Sequence, residues 1–522
     1  MNTTESRHAN LGYFNRVAAQ NTPDAIALID LSGDAPREIT HGALDQRMER
    51  VARALGGFGL KAGDRLLLGV GNRIEFIEAF FGAMRAGIVP LPLNTKFGAD
   101  TIDFALEDSG CTAAIVEPAC NAHLAAIVEA ADLVPRISLD PRPGWLSYEE
   151  VLAAAPASFD PPPIAPGQVA FIPYTSGSTG RPKGVLLTHE GLLWGIHSTQ
   201  RFLPTAPDDR TLVATPLFHK NAMRVSIKPM LHAGASAVIL PGFEPRAFLG
   251  ALATYECTYT GGVPAMYRML LEQKDLLGTL SFPKLKSLSM GSAVVGKDLL
   301  DGVESAFGVA AIESYGLTEA GGPLRSPLDG STPPIGSCGV VAPEWEVKLV
   351  DGEGRESLEI GELWVRAPSV MQGYLNRPEL TAERLVAGWL KTGDILRRDT
   401  DGFFYFQSRT DDMFSCGGEN IYPKEVELIL VRHPAVLDAA AFPIPHEVKG
   451  LAPAALVVLR PDAAVNADDL KRHCLEYGPA YAHPRHVFFV DDLPASTTGK
   501  LDRNAVREEG LARLARSRDG AA

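Results

Sequence analysis

VAFIPYTSGSTGRPKG, residues 169–184, joins a short apolar run to a loop of glycine, serine and threonine that closes on a lysine. The run VAFIPYT (169–175) reads as a buried strand, apolar and rich in β-formers. In the loop, Thr175, Ser176, Ser178 and Thr179 bring hydroxyls, and Gly177 and Gly180 let backbone N–H groups turn inward. Such a loop can cradle phosphate oxygens, with Lys183 adding a charge. A Walker A motif does not fit. Pro182 stands where that motif needs glycine, and Gly184 follows the lysine in place of serine or threonine. Pro182 also disfavours the helical conformation at Arg181, so the loop does not run straight into a helix.

Outward from this loop, short apolar strands alternate with helical patterns from about Gln168 to Glu319. Candidate strands are 169–175, 211–218, 235–241, 257–264, 285–292 and 310–316, with helical spacing in segments such as PRAFLGALATYE. A weaker alternation runs from residue 10 to about 150, with LKAGDRLLLGVGN as strand and IEFIEAFFGAMRAG as helix. The expected fold class is α/β, with parallel sheets in two places. Around 342–408 the period changes to two, broken by an Asp-Gly turn, which predicts antiparallel β or a small barrel (about 335–408). The tail alternates helix and strand as a compact α+β unit, and PASFDPPPIAPGQ (156–168) reads as a linker between lobes.

The 522 residues exceed what one core usually organises, so two or more domains are expected. Apolar residues make up 46% and charged residues 21%, ordinary globular values. The net charge of −14 argues against a nucleic-acid partner or an anionic membrane surface. The six cysteines stand singly and form no metal or disulfide pattern, which fits a reducing compartment. No secretory signal is legible at the N-terminus and no apolar run approaches ~18 residues, so a cytoplasmic location without membrane insertion is expected.

TSGSTGRPKG is similar to the signature loop of the adenylate-forming superfamily, the acyl- and aryl-CoA synthetases, peptide-synthetase adenylation domains and luciferases. Further motifs follow in the family's order: Tyr315-Gly-Leu-Thr-Glu319, Thr392-Gly-Asp394, Ser408-Arg-Thr-Asp-Asp412, Gly417-Gly-Glu-Asn-Ile421 and Pro494-Ala-Ser-Thr-Thr-Gly-Lys500. The resemblance spans about residues 10–505. It implies an N-terminal adenylation domain over 1–408 and a small, mobile α+β lid over 409–522. The chemistry implied is attack of a carboxylate on the α-phosphate of ATP, which replaces a hopeless leaving group with AMP.

The resemblance also implies roles for particular residues. Thr175, Ser176, Gly177, Ser178, Thr179, Gly180 and Lys183 would hold the β- and γ-phosphates. Thr318 would contact the α-phosphate, and Glu319 would help hold Mg²⁺, a hard cation suited to oxygen ligands. Gly291, Ser292 and Ala293, with Glu313, Ser314, Tyr315 and Gly316, would line the adenine slot. Asp394, assisted by Arg409, would accept the ribose hydroxyls, and Lys500 would bridge carboxylate and α-phosphate during adenylation. Taken singly, Asp394 also reads as a turn aspartate, Glu319 as a helix N-terminal acid and Lys500 as a solvated lysine.

Similar enzymes rotate the C-terminal domain to transfer the acyl group to coenzyme A. Asp411 matches the hinge position, and Gly417 and Gly418 would let a pantetheine arm approach the backbone. His219 matches a gate between the acyl pocket and the thiol channel. The acid pocket is expected to draw on His219 to Met223, Gly261 to Pro264, Met290 and Gly316–Leu317. Lys220 and Arg224 could pair with a second carboxylate, but exposure on the surface is the expectation for both.

The resemblance thus implies an acid–CoA ligase using ATP, coenzyme A and Mg²⁺, with an aryl or medium-chain acid suggested by GGENIYPKEVE and the short tail. Ala482 stands where a lysine is frequent, and Gly450-Leu451 where Gly-Glu is common, which bears on coenzyme A contacts. An enzyme loading a carrier-protein pantetheine and a non-catalytic acyl-nucleotide binder are the alternatives. Monomer and homodimer both stay open.

Overall fold

The structure is a computed structural model that describes residues 9–121, 123–175, 182–291, 297–309, 311–327, 333–410, 412–416, 419–447, 449–461, 463–480, 482–495 and 501–519. The chain divides into two compact units: residues 1–347 with 365–391, and residues 348–364 with 392–522.

The first unit is layered α/β. Its larger sheet runs, edge to edge, Val340–Val341, Gly321–Arg325, Ala311–Leu317, Ser287–Gly291, Tyr259–Gly262, Arg210–Val213, Ser236–Ile239, Ile26–Asp30 and Arg37–Thr40. The six strands from Ala311–Leu317 to Ile26–Asp30 are parallel, and antiparallel strands close both edges. A second, wholly parallel sheet orders Val89–Pro92, Arg65–Gly69, Ala113–Val116, Arg136–Ser138 and Leu146–Ser147. Helices start where the sequence caps them: Thr40, Thr188 and Glu244 side chains accept N–H bonds from the first turns that follow.

IEFIEAFFGAMR forms the helix Ile74–Arg85, and all of its residues are buried. It packs on His41–Gly57 so closely that a Cβ on Gly82 would lie 2.5 Å from Val51 Cβ. Burying each of its phenylalanines contributes roughly 1.5–3 kcal/mol. Its two glutamates are buried with it and require partners. Glu75 accepts from Arg37 and Arg73, while Glu78 accepts from Arg47 and from the Tyr148 hydroxyl.

One element departs from expectation. VAFIPYT is not a strand of the parallel layer. It breaks before Pro173, which has no N–H for a ladder, into Val169–Phe171 and Tyr174–Thr175. Both pair antiparallel with Lys183–Thr188, a strand not anticipated above, in a separate small sheet completed by Gly373–Tyr374. Residues 156–168 contain neither helix nor strand, and Ile164 there is fully buried.

The second unit begins with antiparallel pairs, Val350 with Glu356 and Asp394 through Arg398 with Arg409 through Phe404. Beyond them a five-stranded sheet orders Glu419–Ile421, Phe414–Cys416, Gly450–Leu459, Val436–His446 and, parallel to Gly450–Leu459, His486–Phe489. Helices Pro423–Val431, Ala467–Tyr477 and Arg503–Asp519 cover it around a core of Ile421, Leu430, Phe442, Leu456 and Leu470. Among the described residues no helix is long and apolar enough to cross a membrane.

Candidate active site

The glycine-rich loop is the tip of a hairpin. Thr175 pairs with Lys183 and Tyr174 with Gly184, so the two ends of the loop are held side by side. Ser176, Gly177, Ser178, Thr179 and Gly180 lie outside the described residues. The base of the hairpin is anchored: the Tyr174 hydroxyl donates to Asp108 Oδ2 at 3.0 Å, and Asn376 Nδ2 donates to the Asp108 carbonyl at 2.7 Å. Burial and the Asp108 carboxylate push the Tyr174 phenol up, so it remains a donor.

Thr318 and Glu319 occupy another tip. Strand Ala311–Leu317 turns back onto Gly321–Arg325, with Leu317 opposite Gly321, leaving Thr318, Glu319 and Ala320 in the turn. Gly316 makes this possible, since a Cβ there would stand 2.5 Å from the Gly321 carbonyl oxygen. Glu319 is therefore a hairpin-turn residue, and the reading of it as a helix N-terminal acid falls away.

Tyr374 links the two tips. Its hydroxyl donates to Glu319 Oε1 at 3.0 Å, and its ring centroid lies 5.7 Å from Lys183 Nζ. The strand Gly373–Tyr374 reaches this position by pairing with Val185 and Leu186, and Met371 N donates to the Glu319 carbonyl at 2.6 Å. Among the described residues only Tyr374 bonds the Glu319 carboxylate, at one oxygen. A single carboxylate with a second oxygen in hand fits Mg²⁺, which binds through few protein ligands plus phosphate and water. The carboxyl ends of two parallel strands adjoin this place: Met290 faces Glu313 and Gly291 faces Ser314, where open α/β sheets bind ligands. Ser292 and Ala293 are outside the described residues. His219 sits in a turn, its N–H bonded to the Pro216 carbonyl and its ring 6.0 Å from that of Phe218.

Lys220 and Arg224 are not on the surface, contrary to expectation. The helix Lys220–Ala222 continues through a wide-turn segment, Met223–Ile227, into Lys228–Ala233. Spacings of four place Lys220, Arg224 and Lys228 together along it, while Met223, Ile227, Met230 and Leu231 are buried in the core. Lys220 is 6% exposed and Lys228 4%; the Arg224 guanidinium Nη1 is shut off from solvent. Gly322 gives Arg224 its room, because a Cβ there would meet Nη1 at 2.3 Å.

With Arg325 these cations line a small pocket in the first unit. Lys220 Nζ donates to the Thr318 carbonyl at 2.6 Å, which ties the cavity to the Thr318–Glu319 turn. Burial, then Lys228 and Arg224, press the Lys220 ammonium well below its ordinary value, opposed by Glu319. Burial with Arg224 lowers Lys228 to about 7. The other walls come from helix His189–Phe202, Ala320–Gly322, Trp345 and Ser369. Gly261–Pro264 and Met290, expected in the acid pocket, do not line this cavity.

In the second unit, Asp394 lies inside the ten-residue strand Trp389–Arg398, which removes the reading of it as a turn aspartate. It pairs with Arg409, whose Nε is 3.3 Å from Asp394 Oδ1. Thr392 and Glu362 hold the neighbouring backbone, at Asp394 N and Gly393 N. Cys416 pairs with Glu419 across Gly417 and Gly418, which lie outside the described residues with Asp411 and Lys500. The ends of the Lys500 loop are pinned by the Ala495–Leu501 bridge and by Asp502 N to Pro494 O at 2.9 Å. Arg503 then anchors the last helix on buried Glu427, which also accepts from Ala441 N. Ala482 is 3% exposed, and Leu451 packs on the core opposite Pro445, so both departures from the family pattern are inward positions.

Two family models match the chain, the AMP-binding enzyme over residues 15–375 and the AMP-binding enzyme C-terminal domain over 425–500. A feruloyl-CoA synthase of Amycolatopsis sp. is 34% identical over 508 residues, covering 96% of this chain and 99% of that protein. An oxalate–CoA ligase of Arabidopsis thaliana is 31% identical over 515 residues, covering 94% and 97%. The crystal structure of ATP-bound MatB from Rhodopseudomonas palustris matches with a TM-score of 0.87 at 29% identity, covering 96% and 99%.

Proposed function

The chain belongs to the AMP-binding enzyme family, and from that premise we propose that it is an acid–CoA ligase converting ATP, a carboxylic acid and coenzyme A to acyl-CoA, AMP and pyrophosphate. The observation that carries the reading is the Lys183–Tyr374–Glu319 arrangement, which sets a cation from the glycine-rich hairpin beside a carboxylate from the second hairpin turn.

In the first half-reaction a carboxylate oxygen attacks the α-phosphorus, the bond from that phosphorus to the bridging oxygen breaks, and pyrophosphate leaves. Thr175 through Gly180 and Lys183 hold the β- and γ-phosphates, and Thr318 contacts the α-phosphate. Gly291, Ser292 and Ala293 with Glu313 through Gly316 receive adenine; Asp394 with Arg409 receives the ribose. Lys500 offsets charge between carboxylate and α-phosphate as the new bond forms, a gain realised mainly in the transition state. Bound at Glu319, Mg²⁺ would neutralise phosphate oxygens.

In the second half-reaction the thiolate sulfur of coenzyme A attacks the acyl carbon, and the bond to the AMP oxygen breaks. The lid over 409–522 rotates about Asp411, withdrawing Lys500 and presenting Gly417 and Gly418 to the pantetheine arm, with His219 as gate. The acid is of the aryl or medium-chain class, for which Trp194 and Trp345, 5.4 Å apart, offer an aromatic wall.

Pyrophosphate release with ATP, Mg²⁺ and a panel of acids, with and without coenzyme A, tests the reading. Sustained release only with coenzyme A is expected, and Lys500→Ala should abolish it while ATP still binds. Release indifferent to coenzyme A would transfer the reading to a carrier-protein loader; no release with any acid would end it.

A further inference from the structure

We propose that Lys220 is a positioning residue of the activation step: its bond to the Thr318 carbonyl fixes the turn on which Thr318 meets the α-phosphate and Glu319 holds Mg²⁺. The inference deepens the adenylating reading of that turn and rests on it.

Residues in a turn have no ladder to hold them. Thr318, Glu319 and Ala320 lie beyond the last strand pair, Leu317 with Gly321, and the turn closes on itself through a long backbone bond, Ala320 N to the Leu317 carbonyl at 3.4 Å. Groups from elsewhere supply the rest. Met371 N donates to the Glu319 carbonyl at 2.6 Å, and the Tyr374 hydroxyl donates to Glu319 Oε1 at 3.0 Å. The Thr318 carbonyl receives Lys220 Nζ at 2.6 Å, from a different element. Lys220 thus supports the Thr318 end of the turn, as Met371 and Tyr374 support Glu319.

The platform beneath Lys220 is itself fixed. The side chain of buried Asn72 accepts from Leu217 N at 2.8 Å and donates to the Thr215 and Leu240 carbonyls at 3.0 and 3.2 Å. His219 N then bonds the Pro216 carbonyl, and Met223 and Ile227 are buried in the core one and two turns further on. A segment held this way delivers Nζ to one place. It also carries His219, so the proposed gate and the nucleotide turn share one support.

Stability alone does not call for a lysine here. Burial, Lys228 and Arg224 all oppose its charge, and a packed apolar side chain would carry no such cost. The hydrogen bond it makes goes to the turn, and locally unfavourable residues are kept where function uses them. Groups standing behind a metal ligand orient it, and their loss typically costs about 10–100-fold in metal affinity or activity.

The test uses the full-length protein with Lys220→Met, which removes the donor, Lys220→Gln, which shortens it, and Lys220→Arg, which keeps one. ATP affinity is measured with and without Mg²⁺, pyrophosphate release with saturating ATP and the preferred acid of the panel, and the melting temperature without ligands. Lys220→Met and Lys220→Gln should bind metal-free ATP as wild type does. Both should lose most of the Mg²⁺-dependent gain in ATP affinity and fall about 30-fold in kcat. Their melting temperatures should match or exceed that of wild type, and Lys220→Arg should recover part of both losses. Variants that melt lower but keep the wild-type Mg²⁺ gain and kcat would make Lys220 a structural residue and overturn the proposal. If wild type released no pyrophosphate with any acid, the ligase reading would fail and the ATP measurement would decide this inference alone. A Mg²⁺-dependent gain that Lys220→Met and Lys220→Gln lose would uphold it; an equal gain in all the proteins, or none in any, would overturn it.

Discussion

Arg85 and Lys228 are both cations enclosed in the first unit, and their surroundings are opposite. Arg85 is fully buried and donates to the Gly12 and Asp45 carbonyls, to the Asp45 carboxylate and to Glu49, while Tyr13 stacks on it at 4.6 Å. Lys228 is nearly as buried, and Arg224 beside it adds to burial in depressing its proton affinity. A third cluster, Arg37 and Arg73 around Glu75 and Asp30, follows the Arg85 pattern. Paired charges of this kind hold elements together: Arg85 ties the first helical turn, Leu11–Tyr13, to helices His41–Gly57 and Ile74–Arg85. Like charges gathered in one buried place oppose folding.

The largest effect should come from breaking a paired cluster. Arg85→Met leaves Asp45 and Glu49 without their buried partner and two carbonyls without a donor, at a cost of about 3–5 kcal/mol. Urea unfolding of the full-length protein should show a clearly lower midpoint for its first transition. An unchanged midpoint would show that the pairing carries no stability, and the contrast with Lys228 would lose one side.

Acid should reach the paired clusters next. Burial alone would raise the Glu75 carboxyl, but hydrogen bonds from Arg37 and Arg73 overcome it and hold it down at about 2. Because the folded value lies below the unfolded one, the stabilisation is present above about pH 4.3 and is lost as pH falls toward 2, worth up to about 3 kcal/mol. Glu75→Gln should be less stable than wild type at pH 6, with the gap roughly halved at pH 3 and closing only toward pH 2. A gap that persists unchanged into acid would mean that the carboxylate charge is not what Arg37 and Arg73 use.

Much of this architecture was legible in the chain, and its failures have physical causes. Strands such as Ser236–Ile239 were visible because buried parallel strands read as short apolar runs. VAFIPYT looked the same but lies in an antiparallel sheet: Pro173 interrupts it, it pairs with Lys183–Thr188, and that strand's other partner, Gly373–Tyr374, is nearly two hundred residues away. That distance also hid Tyr374, an ordinary tyrosine until the fold sets it between Lys183 and Glu319. The spacing of Lys220, Arg224 and Lys228 was readable as one helical row. Its burial was not, because lysine and arginine are mostly exposed and only tertiary packing reverses that prior.

The smallest effect carries the opposite sign, and so divides the two kinds of cluster most sharply. Lys228→Met removes a buried charge from among like charges and should stabilise the ligand-free protein by about 1 kcal/mol, where Arg85→Met destabilises. The sign of its pH dependence follows from the protonation equilibria. Unfolded, Lys228 holds its proton to about pH 10.4, but folded it releases it near pH 7. Between those values the unfolded chain binds more protons, so the penalty of burying Lys228 is full below pH 7 and shrinks as pH rises toward 10. The stabilisation by Lys228→Met should therefore be greatest at pH 6 and smaller at pH 9. Melting temperatures of the two proteins at these pH values are the measurement. A destabilising Lys228→Met at both would make Lys228 a structural residue like Arg85, whereas a gain that declines with pH would identify a charge the fold carries at a cost.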